Sequence, residues 1–295
     1  MIDGHRKLAA TRWAGGCYRR KRGNFRKEAG QVRAAPNLSM LFQEAPFLER
    51  FGRARAAGFG AVEFQFPYAH RPDELRQAVR EAGVEVVLFN LPAGDWAAGD
   101  RGLACDPGRR EAFRESVETA IEYAEALGCP RIHCMAGRVP DGRSLGDVWP
   151  VLVENIRYAA ERFGRYGRTV MVEACNKRDM PGFALPDVSR AVDLLREVGR
   201  DNVRLQFDFY HVQRSQGELI ATYQAVRDLV GHVQIADNPG RHEPGTGEIH
   251  YRNVLAAVAQ SGYKGCVGLE YIPSGRTEDS FAWMDQEEMR TWLKR

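Results

Sequence analysis

From residue 34 onward the chain alternates short apolar runs with longer stretches in which apolar residues return every three or four positions. The short runs predict strands: AAPNLSML (34–41), AVEFQF (61–66), VEVVLFNL (84–91), RIHCMAG (131–137), TVMVEACN (169–176), NVRLQFDFYH (202–211), HVQIAD (232–237) and GCVGLEY (265–271). Between them, stretches such as PFLERFGRARAAG, DELRQAVREAG and EAFRESVETAIEYAEALG carry helical spacing and end on a glycine, which stops a helix without steric cost. Eight strand-then-helix repeats in about 260 residues match the size and order of a (β/α)8 TIM barrel. A doubly wound open sheet is the runner-up, but no GxGxxG turn follows an early strand.

In such a barrel function sits at the C-terminal ends of the strands. Those ends carry Asn37, Ser39, Glu63, Gln65, Asn90, His133, Glu173, Asn176, Asp208, His211, Gln234, Asp237 and Glu270. Glu173 closes a run of strand formers, where a lone buried carboxylate is strongly disfavoured unless something neutralises it. A structural ion pair or a strand end that reaches water would suffice. Glu173, Asp208, Gln234 and Glu270, however, belong to the fifth to eighth strands, adjacent staves of a closed barrel, and can converge on one point. Three converging carboxylates repel unless a cation joins them, and all-oxygen coordination favours Mg2+ or Mn2+ over zinc. Asp208 with His211 also reads as a structural hydrogen-bonded pair. Glu63 reads equally as a substrate contact or as an inward-facing polar residue at the barrel rim, and His133 reads as structural.

Two loops add candidate chemistry. Residues 90–110 (NLPAGDWAAGDRGLACDPGRR) form a long, glycine-rich connection bearing Trp96, Arg101 and Arg110, the content of a lid. Residues 237–251 (DNPGRHEPGTGEIHY) present Arg241, whose planar fork suits a carboxylate or a hydroxyl-rich substrate.

A chain of 295 residues with 44% hydrophobic residues can bury a large core. No apolar run approaches the roughly 20 residues of a membrane span, and the start lacks the apolar segment of a secretory signal, so a cytoplasmic protein without a membrane partner is expected. The six cysteines, Cys17, Cys105, Cys129, Cys134, Cys175 and Cys266, form no CxxC pair and read as reduced apolar fillers. The first 36 residues hold ten Lys or Arg against Asp3 and Glu28, a balance of +8 within a whole-chain charge of +3, which leaves −5 for the remainder. That basic leader has no helical or strand periodicity and predicts a disordered extension over 1–33 ahead of a barrel domain over 34–295. An acidic barrel with oxygen-donor ligands argues against nucleic acid as a partner. Self-association into a homo-oligomer is left open.

The segments NLSMLF (37–42), FPY (66–68), NLPAGDWAAGDRG (90–102), LQFDFYH (205–211), QIADNPGRHEPGTGEI (234–249) and GLEY (268–271) closely resemble the hydroxypyruvate isomerase family of xylose isomerase-like barrels, from about Asn37 to Trp283. The resemblance implies that Glu173, Asp208, Gln234 and Glu270 bind the metal and that Glu173 and Glu270 are also the catalytic acid/base pair. It further implies substrate binding by His211 and Arg241, with Asn90, Glu63 and Arg101 completing the candidate set. Two departures stand out: the thirty-odd residues ahead of the first strand, and Ala174 where close relatives often place proline. The expected reaction interconverts hydroxypyruvate and tartronate semialdehyde by proton transfer between neighbouring carbons. A 2-oxo-tetronate isomerase, a ketose 3-epimerase and a catalytically inactive sugar-acid-binding protein are the alternatives.

Overall fold

The computed structural model describes residues 32–290 and 293–294. The expected leader lies outside the described residues except for its last two positions, Val32 and Arg33, which begin the first strand. The barrel therefore starts two residues earlier than the pattern predicts.

Eight parallel strands form the barrel: β1 (Val32–Pro36), β2 (Ala61–Glu63), β3 (Glu85–Asn90), β4 (Arg131–His133), β5 (Thr169–Glu173), β6 (Val203–Asp208), β7 (Val230–Ile235) and β8 (Cys266–Leu269). They are hydrogen-bonded in the order β2 through β8 and then β1. Closure comes from a parallel bridge between Asn37 and Glu63, with the Leu38 N–H donating to the Glu63 carbonyl at 2.7 Å. The single run of sheet neighbours around a ring excludes the doubly wound alternative. A ninth strand, β9 (Leu293–Lys294), pairs in parallel with the start of β1 and has no counterpart in the sequence reading.

Helices α1 (Phe47–Ala56), α2 (Pro72–Ala82), α3 (Arg110–Leu127), α4 (Leu145–Gly164) and α5 (Val188–Val198) follow the first five strands. α5 shows why: Val188, Ala191, Val192, Leu194, Leu195 and Val198 form one buried stripe, the Asp187 carboxylate caps the Arg190 N–H, and Gly199 ends the helix in the left-handed region at φ 60°. Two short helices, α6 (Phe209–Ser215) and α7 (Leu219–Val226), follow β6. α8 (Tyr251–Gln260) follows β7, and a 3-10 segment with α9 (Glu287–Arg290) follows β8.

Several predicted strands are too long. The segment 61–66 stops at Glu63, 131–137 stops at His133, and 202–211 stops at Asp208. In the last case the Asp208 carboxylate accepts the Tyr210 N–H at 2.8 Å and caps α6, so His211 stands in the first turn of a helix rather than at a strand end.

The main apolar core lies between the barrel and its helices. Inside the barrel a separate small layer of Ala35, Ala61, Val87 and Cys266 is capped by buried polar side chains: Glu63, His133, Gln206, His232 and Gln234. Barrels of this size usually fill the interior with branched apolar residues. Here the polar filling reaches up to the C-terminal mouth, where the candidate site begins.

Candidate active site

Register brings the predicted residues together. Glu173 ends β5 beside Gln206 of β6, Asp208 ends β6 beside Gln234 of β7, and Gln234 neighbours Gly268 of β8, two residues before Glu270. Carboxylate oxygens of Glu173, Asp208 and Glu270 all lie within 4.8 Å of one another, and each side chain is buried. Three carboxylates so placed disfavour their own ionisation. Burial, then the charges of Glu270 and Asp208, push the Glu173 carboxyl well above the usual carboxylate range. Burial raises Glu270 to about 7 and Asp208 to about 6, with Arg241 opposing the rise in both.

Arg241 is closer to this cluster than its loop position suggested. Its Nη2 lies 2.6 Å from Glu270 Oε2 and 3.4 Å from Asp208 Oδ2, and its guanidinium stacks 4.9 Å from the Tyr210 ring centre. Burial works against its charge, but Glu270, Asp208 and Glu173 outweigh that and hold it firmly protonated. The loop delivers it with a left-handed backbone, φ 58°, at a non-glycine residue, a conformation that surrounding structure must enforce. Its Nη1 makes no hydrogen bond to a described residue.

Arg241 does not reach all of the charge. Glu173 Oε1 is buried and has no hydrogen-bond partner, while Glu173 Oε2 meets only the Cys175 thiol at 3.5 Å and His133 Nε2 at 3.6 Å. Burial drops His133 to about 3, so this neighbour is neutral. An orphaned buried carboxylate oxygen facing two further carboxylates is the donor set a hard divalent cation takes. The residues present fit such an ion.

A second group, Glu173, Cys175 and His211, also has ligand atoms within 4.8 Å of one another, but it fits a metal poorly. The Asn176 backbone N–H can only donate, and it points at His211 Nδ1 at 3.2 Å. Burial keeps His211 neutral, so its one ring proton is on Nε2, which faces Asp208 Oδ2 at 3.8 Å. His211 therefore offers a hydrogen-bond donor to the site and no lone pair. The Cys175 thiol, raised well above its ordinary range by burial and by Glu173, stays protonated.

The remaining expected residues divide. Asn90 is buried at the end of β3, and its side-chain amide makes no hydrogen bond to a described residue, so it is free to meet a ligand. Arg101 is held by its own loop: it stacks 3.9 Å from the Trp96 ring centre and donates to the Trp96 and Asp100 carbonyls. Among the described residues nothing joins it to the carboxylates. Glu63, read equally as a substrate contact or as an inward-facing polar residue, is fully buried, and its oxygens are engaged by Asn37, Gln234 and His232. Gln234 is buried with its Nε2 donating to Glu63 Oε1 at 2.7 Å and its Oε1 accepting from Gln206 at 2.6 Å. Sequence reasoning passed over Gln206 and His232, which lie two register positions below Asp208 and Gln234, and gave no role to Asn37, whose Nδ2 reaches Glu270 Oε1 at 3.2 Å.

A carboxylate-rich centre at the mouth of an eight-stranded barrel defines a class, and comparison with known proteins agrees. Residues 51–287 match the xylose isomerase-like TIM barrel family, and the chain belongs to it. It is 47% identical over 254 residues to the hydroxypyruvate isomerase of Escherichia coli (strain K12), an alignment covering 86% of this chain and 98% of that protein. It is 39% identical to the 2-oxo-tetronate isomerase of Pectobacterium atrosepticum, covering 88% of this chain and 98% of that one. Among solved structures it resembles a protein from Brucella melitensis described as AP endonuclease, family 2, with a TM-score of 0.85, 43% identity, and coverage of 87% of this chain and 99% of that one.

Proposed function

We propose that the chain is an aldose–ketose isomerase acting on a small hydroxy-oxo acid, with hydroxypyruvate and tartronate semialdehyde (2-hydroxy-3-oxopropanoate) as its substrate pair. The observation that carries this reading is the pair of buried carboxylates, Glu173 and Glu270, converging with Asp208 within 4.8 Å and both made more basic by their surroundings. Glu173, Asp208, Gln234 and Glu270 would hold a divalent ion, and their oxygen donors suit Mg2+ or Mn2+. When bound, that ion supplies positive charge where oxygen charge develops during proton transfer.

The chain's own groups account for the rest. One glutamate takes a proton from the hydroxymethylene carbon, the other returns a proton to the neighbouring carbon, and the hydroxyl proton passes from the first oxygen to the second, so carbonyl and hydroxyl exchange places with no net change in atoms. In the metal-free site burial raises Glu270 to about 7, and a bound cation would favour its charged, proton-accepting form. His211 donates its Nε2–H to a substrate oxygen. Arg241, through the free Nη1 of its fork, and Asn90 hold the substrate carboxylate and hydroxyl. Arg101 and Trp96 belong to a lid over the mouth.

The 39% identical relative supports a second reading, in which the same site takes a four-carbon acid. A coupled assay with Mn2+ across three- and four-carbon hydroxy-oxo acids and a ketohexose separates these. Hydroxypyruvate is expected to give the highest kcat/KM; a higher value for the four-carbon acid favours the second reading. Tight binding without turnover of any of them defeats the enzyme reading. The cytoplasm suits the five described cysteines, all buried free thiols. No helix among the described residues is long and apolar enough to cross a membrane.

A further inference from the structure

Beneath the carboxylate cluster one side chain spans the barrel. Glu63 leaves β2, passes β1 and β8, and ends against β7, where its Oε2 lies 2.6 Å from His232 Nε2 and its Oε1 accepts from Gln234 Nε2 at 2.7 Å. The same Oε1 accepts from Asn37 Nδ2 at 3.1 Å. The orientation of Asn37 is fixed separately, because its Oδ1 accepts the Ser39 backbone N–H at 3.1 Å, so its nitrogen must face Glu63 and Glu270. Gln234 turned over would set its oxygen against Glu63 Oε1, two acceptors with no proton between them. The path across the barrel is open because residue 268 on β8 is glycine: a Cβ there would lie 2.3 Å from Glu63 Oε2 and 2.5 Å from Oε1.

We infer that Glu63 is a positioning residue for the metal ligands. By engaging the nitrogen of Gln234 it leaves the oxygen as the atom that side chain can offer, with one lone pair taken by Gln206 Nε2 at 2.6 Å on β6 and the other left for a ligand. Through Asn37 it steadies Glu270. This inference rests on the metal-dependent reading above.

The test is Mn2+ affinity of EDTA-stripped protein, followed by electron paramagnetic resonance or calorimetry. Wild-type protein binds Mn2+; if it binds none, both readings fall. Glu63→Ala is expected to weaken binding about 10–100-fold, the usual effect of removing a partner that orients a ligand. Glu63→Gln should stay near wild type, because its oxygen can still accept from Asn37 and Gln234. Its nitrogen can face His232, whose Nδ1 has no partner and whose ring can therefore take either tautomer. Gly268→Ala should weaken binding although Glu63 is intact, by displacing its carboxylate. The double variant Glu63→Ala/Gly268→Ala should bind no more weakly than Glu63→Ala alone. If Glu63→Ala does not fold, Gly268→Ala and Glu63→Gln decide. Wild-type Mn2+ affinity in folded Gly268→Ala, or in a Glu63→Ala variant that raises only KM, overturns the inference and leaves the isomerase reading standing.

Discussion

Replacing Glu173 with glutamine should make the metal-free protein more stable while disabling it. At a separation of 4.8 Å, the limit within which the cluster oxygens lie, two unit charges repel by roughly 3.5 kcal/mol at an effective dielectric of about 20. The protein lessens that cost by keeping Glu173 protonated and by placing Arg241 against Glu270 and Asp208, so the relief gained by a neutral amide is smaller, about 1–3 kcal/mol. At about 2 °C per kcal/mol for a domain of this size, Tm in EDTA should rise by roughly 2–6 °C. The sign with pH follows from the raised carboxyl. The folded state holds the proton more tightly than the unfolded state, so wild-type stability falls as pH climbs above the unfolded value and levels off above the folded one. The advantage of Glu173→Gln should accordingly be largest at pH 8 and shrink toward pH 5. Added Mn2+ should reverse the order, and turnover should fall by about 10² to 10⁴. Thermal denaturation by circular dichroism, with and without Mn2+, reads the stabilities, and the coupled assay reads the turnover. A variant less stable than wild type in EDTA at pH 8 would mean that Glu173 is held by structural partners, and the reasoning about an uncompensated oxygen would be refuted.

Arg241→Ala should raise KM and, by leaving Glu270 and Asp208 without their cation, lower metal-free stability by about 3 kcal/mol or more; Arg241→Lys should restore little because the fork is lost. An unchanged KM with collapsed turnover would give Arg241 a different role. Mn2+ affinity measured calorimetrically should weaken as pH falls from 8 to 6, since Glu270 at about 7 and Asp208 at about 6 must release protons to bind it; a flat profile contradicts the ligand assignment. Deleting residues 1–30 should leave Tm and activity unchanged, because β1 begins at Val32 and the carboxylates lie far beyond it; loss of folded protein would show that the leader packs on the barrel.

The legible part of the site was the part written in local pattern. Glu173 and Asp208 each close a run of strand formers, and strand C-termini are where a barrel of this kind collects its functional groups. Their convergence followed from strand order alone. What Glu63 does was not legible, because its partners His232 and Gln234 are 169 and 171 residues away and no local feature distinguishes a strut from a rim contact. Arg241 was placed in the right loop, but its contact with Glu270 depends on a left-handed backbone that sequence does not announce. The strands over 61–66 and 202–211 were read too far because Phe64 and Phe209 continue the apolar pattern after the ladder has ended, one into a loop and one into α6. A strand of two residues such as β9 has too little pattern to read.

The closure of the ring sets where it opens. Every other neighbouring pair of barrel strands shares at least two register positions, whereas β1 and β2 meet at one bridge, Asn37 with Glu63, and one amide, that of Leu38. Local opening in native proteins begins where the fewest bonds must break, so this seam is the natural crack line of the barrel. Its two residues also contact Glu270 and Gln234, so a crack there loosens both side chains while the other seven seams stay paired. Ligands that bind only the closed ring make opening costlier by mass action. Deuterium uptake at the Leu38 amide then becomes a gauge of occupancy at a centre it never touches, slowing as the site fills.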